Sequence, residues 1–359
     1  MSPPRAEPVL LGPDIDDLEA CHGCNCRLWG DRCQGCAQHE VGAGHPERPA
    51  RLSAALAGLR DAGLDDAIDL VAAQPAPLPA ILRVHDAALI ERLSALDELG
   101  GGFIDGDTAM NAHSFGAARL AAGAGLVAIE QLRAGTHRAA LCVVRPPGHH
   151  ATPSTAMGFC LFNSIGVTAA ALVAAGERVA IIDFDAHHGN GTQEVFYESD
   201  QVLFVSLHQF PWYPGTGRVD EIGRGPGAGY TVNIPFAAGT SGDAYRHAFE
   251  AVVWPKIEGF RPTWILVSAG YDGHRLDPLA QLGLTSGDYG DLARQLVAMA
   301  PSGRLIAFLE GGYHLDSLAS SVAATVGAFA DVSVHAEEAS SGSRADHVIA
   351  AVRAQHGLR

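Results

Sequence analysis

Asp183, Asp185, His187 and His188 stand together in the run Val179-Ala-Ile-Ile-Asp-Phe-Asp-Ala-His-His-Gly-Asn-Gly-Thr192. Side chains two apart on an extended chain share a face, so Asp183, Asp185 and His187 point the same way. Two carboxylates and an imidazole on one side make a ready metal site. As a plain strand cap they would be too costly to bury unpaired. The apolar residues before them read as a buried strand, and the glycines after them end it.

Other apolar runs end in the same way. Val144 leads into Arg145-Pro-Pro-Gly-His149-His150-Ala, Ser268 into Ala-Gly-Tyr-Asp272 and on to Asp277, and Leu309 into Glu310-Gly-Gly-Tyr313. In a parallel α/β sheet the carboxyl ends of the strands share one edge. That edge would gather Asp185, His187, Asp272, the histidine pair and Tyr313 around one cavity. A metal held by three side chains keeps positions open for water and a carbonyl. The histidines can serve as general base and acid, and a tyrosine hydroxyl can donate to an oxyanion. Ligand type alone fits Zn²⁺, Fe²⁺, Co²⁺ or Mn²⁺.

The elements that must position these groups alternate along the chain. Apolar runs predict strands over 139–144, 178–184, 202–207, 230–234, 264–268 and 305–309, with a short candidate strand inside 7–12. Helical spacing predicts helices over 50–62, 80–99, 111–135, 164–175, 192–199, 243–258 and 286–300, and another after His314. The pattern predicts an α/β fold, a parallel sheet covered by helices on both faces. No composition shift divides the chain, so 1–359 reads as a single domain. In the glycine-rich loop after Gly100, Asp105 and Asp107 either face a site opening or cap the next helix, and capping is the expectation for Asp107. The polar, acidic, serine-rich stretch 332–343 reads as a flexible linker to a terminal helix.

Nearly half of the 359 residues are hydrophobic, enough for a large core, and the formal net charge is −16. That charge disfavours nucleic acid as a partner and suits a basic substrate. No apolar run is long enough to span a bilayer and no signal peptide opens the sequence, so the expectation is a soluble cytoplasmic protein with no membrane partner. Five of the seven cysteines fall within 21–36, unlike a secreted disulfide framework. The pairs Cys21/Cys24 and Cys33/Cys36 have the spacing of a structural zinc site, with Cys26, His22 and His39 as substitutes. Free thiols or labile disulfides in a mobile loop are the alternative.

The quoted motifs, together with Gly158-Phe-Cys-Leu-Phe-Asn163 and Asp277-Pro-Leu279, follow His45-Pro-Glu-Arg-Pro49 in an order that resembles the zinc-dependent histone deacetylase family. The bacterial and class II branch of this deacetylase and acetylpolyamine amidohydrolase superfamily fits best, because Asn190 stands where aspartate is the alternative. The resemblance runs from His45 to about Leu318. It implies the arginase/deacetylase fold around an eight-stranded parallel sheet. It implies a catalytic Zn²⁺ on Asp185, His187 and Asp272. His150 would activate water and protonate the leaving amine, beside a charged His149 held by Asp183. Asn190 would orient His150, and Tyr313 would polarise the carbonyl. Phe159 and Tyr213 would wall a narrow channel with Gly158 and Leu279. Asp183, Asp185, His187, Ser206 and Leu207 match the family's monovalent-cation (K⁺) site. The 21–39 segment would be an insertion at the channel rim.

The implied function is a zinc-dependent amide hydrolase that removes acetyl or short acyl groups from acylated lysine in a protein or peptide, using metal-activated water. The alternative is deacetylation of acetylpolyamines or another small acetylated amine. Leu279, where the polyamine-selective branch carries glutamate, argues against that alternative. A homo-oligomer is left open.

Overall fold

The structure, a computed structural model, describes residues 7–12 and 35–358. Its strands are β1 (Glu7–Gly12), β2 (Asp69–Ala72), the hairpin pair β3 (Gly101–Phe103) and β4 (Ala109–Asn111), β5 (His137–Cys142), β6 (Val179–Asp183), β7 (Val202–Gln209), β8 (Thr231–Phe236), β9 (Trp264–Ala269) and β10 (Leu305–Leu309). All but the hairpin belong to one eight-stranded sheet in the order β2-β1-β5-β10-β9-β6-β7-β8. Every pairing in that sheet is parallel. Every residue of β6, β9 and β10 is buried. Strands covered on both faces bury side chains on each, so these read as near-continuous hydrophobic runs, interrupted only by Asp183 in β6 and Ser268 in β9, rather than alternating ones.

The helices are α1 (Ala50–Asp61), α2 (Leu78–Ile81), α3 (Ala87–Glu98), α4 (Ser114–Arg133), α5 (Ser164–Ala174), α6 (Asn190–Phe196), α7 (Gly242–Ala248), α8 (Trp254–Phe260), α9 (Ser286–Met299), α10 (Leu315–Ala330) and α11 (Asp346–Gln355). One group packs α9 on α10 and α10 on α1, another packs α4 on α5, and both reach the central strands. Among the described residues no helix is long and apolar enough to cross a membrane.

Three sequence expectations need correction. The helix expected over 80–99 is two, α2 and α3, because the chain between them turns to meet another loop. There Asp86 N donates to Pro153 O at 2.8 Å, and His85 Nδ1 lies 2.9 Å from Thr152 O. The helix expected from 111 starts at Ser114, since 109–111 is taken by the hairpin. The helix expected over 243–258 passes through a π-helical turn at Phe249–Val253 between α7 and α8.

The stretch 332–343 contains no helix or strand, but it is tied down. Glu337 meets His274, Arg275 and Ser286, and the Ser340 side chain and backbone bind Asp288. A linker-like composition marks missing regular structure, not missing contacts.

Neighbouring strands β5, β10, β9 and β6 run parallel, so the loops after Cys142, Leu309, Ala269 and Asp183 emerge side by side. Those loops carry the chemistry.

Candidate active site

β6 ends at Asp183, and the chain then coils through short turns made by its own carboxylates. Asp185 N donates to Asp183 Oδ1 at 3.1 Å, and His187 N donates to Asp185 Oδ1 at 2.8 Å. Such turns are what aspartate does well at a strand end. They leave Asp185 and His187 facing Asp272, which arrives from the end of β9. Asp272 Oδ1 accepts from Ala186 N at 2.8 Å, and its Oδ2 lies 2.9 Å from His187 Nδ1. Asp185 Oδ2 accepts from Gly311 N at 2.8 Å, which ties in the loop after β10. One ligand atom from each of Asp185, His187 and Asp272 lies within 4.8 Å of the other two, and no other such group of His, Cys, Asp and Glu occurs among the described residues. Two buried carboxylates held this close repel one another unless a cation sits between them. The residues therefore fit a metal ion.

The histidine pair stands beside this triad. His149 Nδ1 lies 3.0 Å from Asp183 Oδ2, and His150 Nδ1 lies 2.8 Å from Asn190 Oδ1. Burial disfavours charge on both rings, and their neighbours then drive them apart. Asp183, Asp185 and Glu310 outweigh burial at His149 and carry its imidazole up to about 10. At His150, burial and the adjacent charges of His149 and His187 act together and hold the imidazole well below its usual value. The two environments thus favour charge on His149 and disfavour it on His150.

Tyr313 stands in the loop after β10 with its ring buried. Its phenol is raised well above its usual value, first by burial, so it stays a donor. Arg51 lies over the ring at 4.9 Å and donates from Nε to Gly312 O at 2.7 Å. The amides of Tyr313 and His314 both donate to Asp277 Oδ2, at 2.6 and 3.2 Å. Tyr313, His150 and His187 open into one cavity of about 390 Å³, whose walls include Phe159, Tyr213 and Leu279. Phe159 sits edge-on to Tyr313 at 5.9 Å, and Tyr213 edge-on to His150 at 5.2 Å. Gly158 carries the wall past His150 with φ +57°. Phe159 itself holds a left-handed φ of +66°, and its amide donates to Thr108 Oγ1 at 3.1 Å. A bulky residue held in this strained region marks a place the surrounding structure over-determines.

Neither loop aspartate caps the next helix, which starts only at Ser114. Asp105, for which both roles were left open, shapes the hairpin turn: its Oδ1 accepts from the amides of Asp107 and Thr108 at 3.0 and 2.7 Å. Asp107, expected to cap, lines the cavity. The hairpin between β3 and β4 sets both positions, and a helix-only reading of the segment hides it.

For the monovalent-cation set, Asp183 pairs with Ser206 across the β6/β7 register, with Leu207 next along β7. Of the cysteine set, Cys21, Cys24 and Cys33, with Cys26 and His22, lie outside the described residues. The Cys36 thiol is buried against Ala117 O, and burial pushes it up to about 11. His39 is engaged by Ser114 Oγ at 2.7 Å and by Glu47 at 3.3 Å. His188 packs behind the site, between Thr216 Oγ1 at 2.7 Å and Gln193 Oε1 at 3.0 Å.

Sequence reasoning missed supporting residues that only the fold brings in. Glu310 accepts from Gly148 N at 2.6 Å and His149 N at 3.2 Å, so it fixes the backbone of the histidine pair. Glu47 is buried between Arg51 and Arg145. Trp212 lines the cavity and donates from Nε1 to Leu279 O at 2.9 Å. The strand-end position of Glu310 was a usable signal; Trp212 and Arg51 offered none.

A strand edge built in this way serves an enzyme that hydrolyses amides, and comparison with known proteins specifies the kind. Residues 45–329 match the family model of the histone deacetylase domain. A probable deacetylase of Archaeoglobus fulgidus is 42% identical over 285 residues, 78% of this chain and 79% of that protein. A histone deacetylase-like amidohydrolase of Pseudomonas aeruginosa is 40% identical over 287 residues, 78% of this chain and 75% of that one. The crystal structure of the HDA15 HD domain superposes with a TM-score of 0.85 at 32% identity, covering 98% of this chain and 94% of that one. The chain belongs to the histone deacetylase family. It has the arginase/deacetylase fold and is a deacetylase.

Proposed function

We propose that this enzyme removes acetyl or other short acyl groups from acylated lysine side chains of proteins or peptides, with Zn²⁺ held by Asp185, His187 and Asp272. The observation that carries this reading is the converging triad of Asp185, His187 and Asp272 at the base of an aromatic-walled cavity, with the His149–Asp183 and His150–Asn190 pairs beside it. When bound, the ion would polarise the acyl carbonyl and lower the pKa of a nearby water. The protein's own groups do the rest. His150, neutral and oriented by Asn190, takes a proton from water and returns it to the leaving amine. His149 stays charged against Asp183 and supplies fixed positive potential. Tyr313 donates a hydrogen bond to the carbonyl oxygen as charge develops there. Phe159 and Tyr213 grip the aliphatic stem, with Gly158 and Leu279 completing the wall. Asp183, Asp185, His187, Ser206 and Leu207 hold K⁺ behind the triad and partly offset its carboxylates.

Leu279 favours lysine side chains over polyamines, since it offers no carboxylate to a second amine. Asp107 in the cavity lining and the net charge of −16 suit basic residues flanking the acylated lysine.

The test is a turnover panel of acetyl-lysine peptides, longer acyl-lysines and acetylpolyamines, with zinc measured in parallel. Acetate release from the peptides is expected, and Tyr313→Phe lowers kcat on the order of 10²-fold with the fold intact. Turnover of acetylpolyamines alone would move the assignment to that substrate class. A zinc content of two ions per chain would support a second site at Cys21, Cys24, Cys33 and Cys36, and a single ion would leave them as loose thiols.

A further inference from the structure

We infer that Glu337 is a positioning residue for Tyr313 and Leu279, acting through the loop that carries Asp272 and Asp277. It rests on the reading that Tyr313 meets the substrate carbonyl. Glu337 lies beyond residues 45–329, which match the family domain, and belongs to the irregular stretch after α10. Its carboxylate sits at the start of α9, where Oε2 accepts from Ser286 N at 3.1 Å; Ser286 Oγ in turn accepts from Glu337 N at 3.0 Å. This mutual pairing fixes the carboxylate before it reaches the loop.

The same Oε2 lies 2.7 Å from His274 Nε2. The other face of that ring settles the direction of the bond. His274 Nδ1 accepts from Leu276 N at 3.2 Å, so the ring proton sits on Nε2 and is donated to Glu337. His274 is buried, and its backbone is built into the loop on both sides. Its amide donates to Tyr271 O at 3.2 Å, and its carbonyl accepts from Asp277 N at 2.8 Å. Asp277 then distributes the anchorage inward. Its Oδ1 accepts from Leu279 N at 3.0 Å, and its Oδ2 accepts from the amides of Tyr313 and His314. A route of unbroken polar contacts thus joins an outer strap to the phenol-bearing loop and the cavity wall. Arg275 also pairs with Glu337, but half exposed and on the outer side, so it contributes little to this route.

Removing the carboxylate leaves the His274 N–H buried without its acceptor, and the loop must shift to satisfy it. The test compares Glu337→Ala, Glu337→Gln and Arg275→Ala by amide hydrogen exchange and by steady-state kinetics on an acetyl-lysine peptide. In Glu337→Ala the amides of Leu279, Tyr313 and His314 are expected to exchange on the order of tenfold faster, with those of β9 unchanged. Kcat falls on the order of tenfold in the same variant. Glu337→Gln keeps an acceptor oxygen for His274 and restores both readouts to within about twofold. Arg275→Ala leaves both near wild type. Unchanged exchange at Leu279, Tyr313 and His314 in Glu337→Ala overturns the inference, as does an equal effect of Arg275→Ala. If the alanine variant does not fold, Glu337→Leu stands in for it on the same readouts. The exchange readout needs no turnover, so an inactive wild-type protein would count against the proposed substrate and not against this role.

Discussion

Gly158 shows how narrowly the site constrains a single residue. A Cβ there would stand 2.5 Å from Cδ2 of His150, and the backbone φ of +57° is one that other residues adopt at a cost. Gly158→Ala therefore pushes the imidazole away from Asn190, its orienting partner. A displacement of about an ångström at a reacting group costs on the order of 10²-fold in rate. Kcat of Gly158→Ala is expected to fall by that order while the melting midpoint moves only a few degrees; near-wild-type kcat would show that the ring has room the structure denies it. Residues of this kind were legible in the sequence to different degrees. Asp185, His187 and Asp272 announced themselves because carboxylates and imidazoles at the ends of apolar runs have few other uses. Asp107 did not, because aspartate in a glycine-rich loop has two common uses and only the hairpin shows which applies.

At the scale of elements, the strands were the easiest to read and the helix boundaries the hardest. β10 lies where its apolar run predicts, and β6 differs from expectation only by a residue at either end, since the apolar run of a buried parallel strand marks its extent, here up to the buried Asp183. β2 was not foreseen: as an edge strand it is short and largely exposed, and its apolar run, Leu70 to Ala72, is too brief to stand out. The α2/α3 break was hidden because His85 and Asp86 are pulled out of helix by partners far along the chain. Close helix packing was hidden for a similar reason. Gly58 of α1 faces α10 so tightly that a Cβ would lie 2.2 Å from Ala319 O. Nothing about one glycine in a helical pattern says that another backbone passes there. Gly58→Val should force α1 and α10 apart and cost about 1–3 kcal/mol in urea unfolding, as overpacking does. Because the contact is with backbone, which cannot rotate aside, an unchanged unfolding midpoint would mean the helices are not this close.

At the scale of the whole molecule, the site depends on loops from distant parts of the chain staying docked, and one buried histidine makes that docking sensitive to acid. His85, between α2 and α3, is 2% exposed and spans two segments of the active-site loop. Its Nδ1 faces Thr152 O at 2.9 Å, and its Nε2 accepts from Asn163 N at 2.8 Å. Asn163 in turn caps α5 by accepting from Gly166 N at 2.8 Å, and its side-chain amide donates to Ala151 O next to the histidine pair. Protonation would turn the Nε2 acceptor into a donor facing another donor. Burial accordingly lowers the pKa of this ring from 6.5 to about 4. Above pH 6.5 the ring is neutral in both the folded and the unfolded chain, and its contribution to stability is fully present. As pH falls from 6.5 towards 4, the unfolded chain takes up a proton that the folded one refuses, so stability is lost. The gap between the two values corresponds to about 3 kcal/mol at full loss. Urea unfolding between pH 7.5 and 4.5 should therefore show wild type losing stability more steeply than His85→Gln, with the two curves converging at the acid end. Parallel curves would place the acid sensitivity in other groups and leave His85 with a packing role alone.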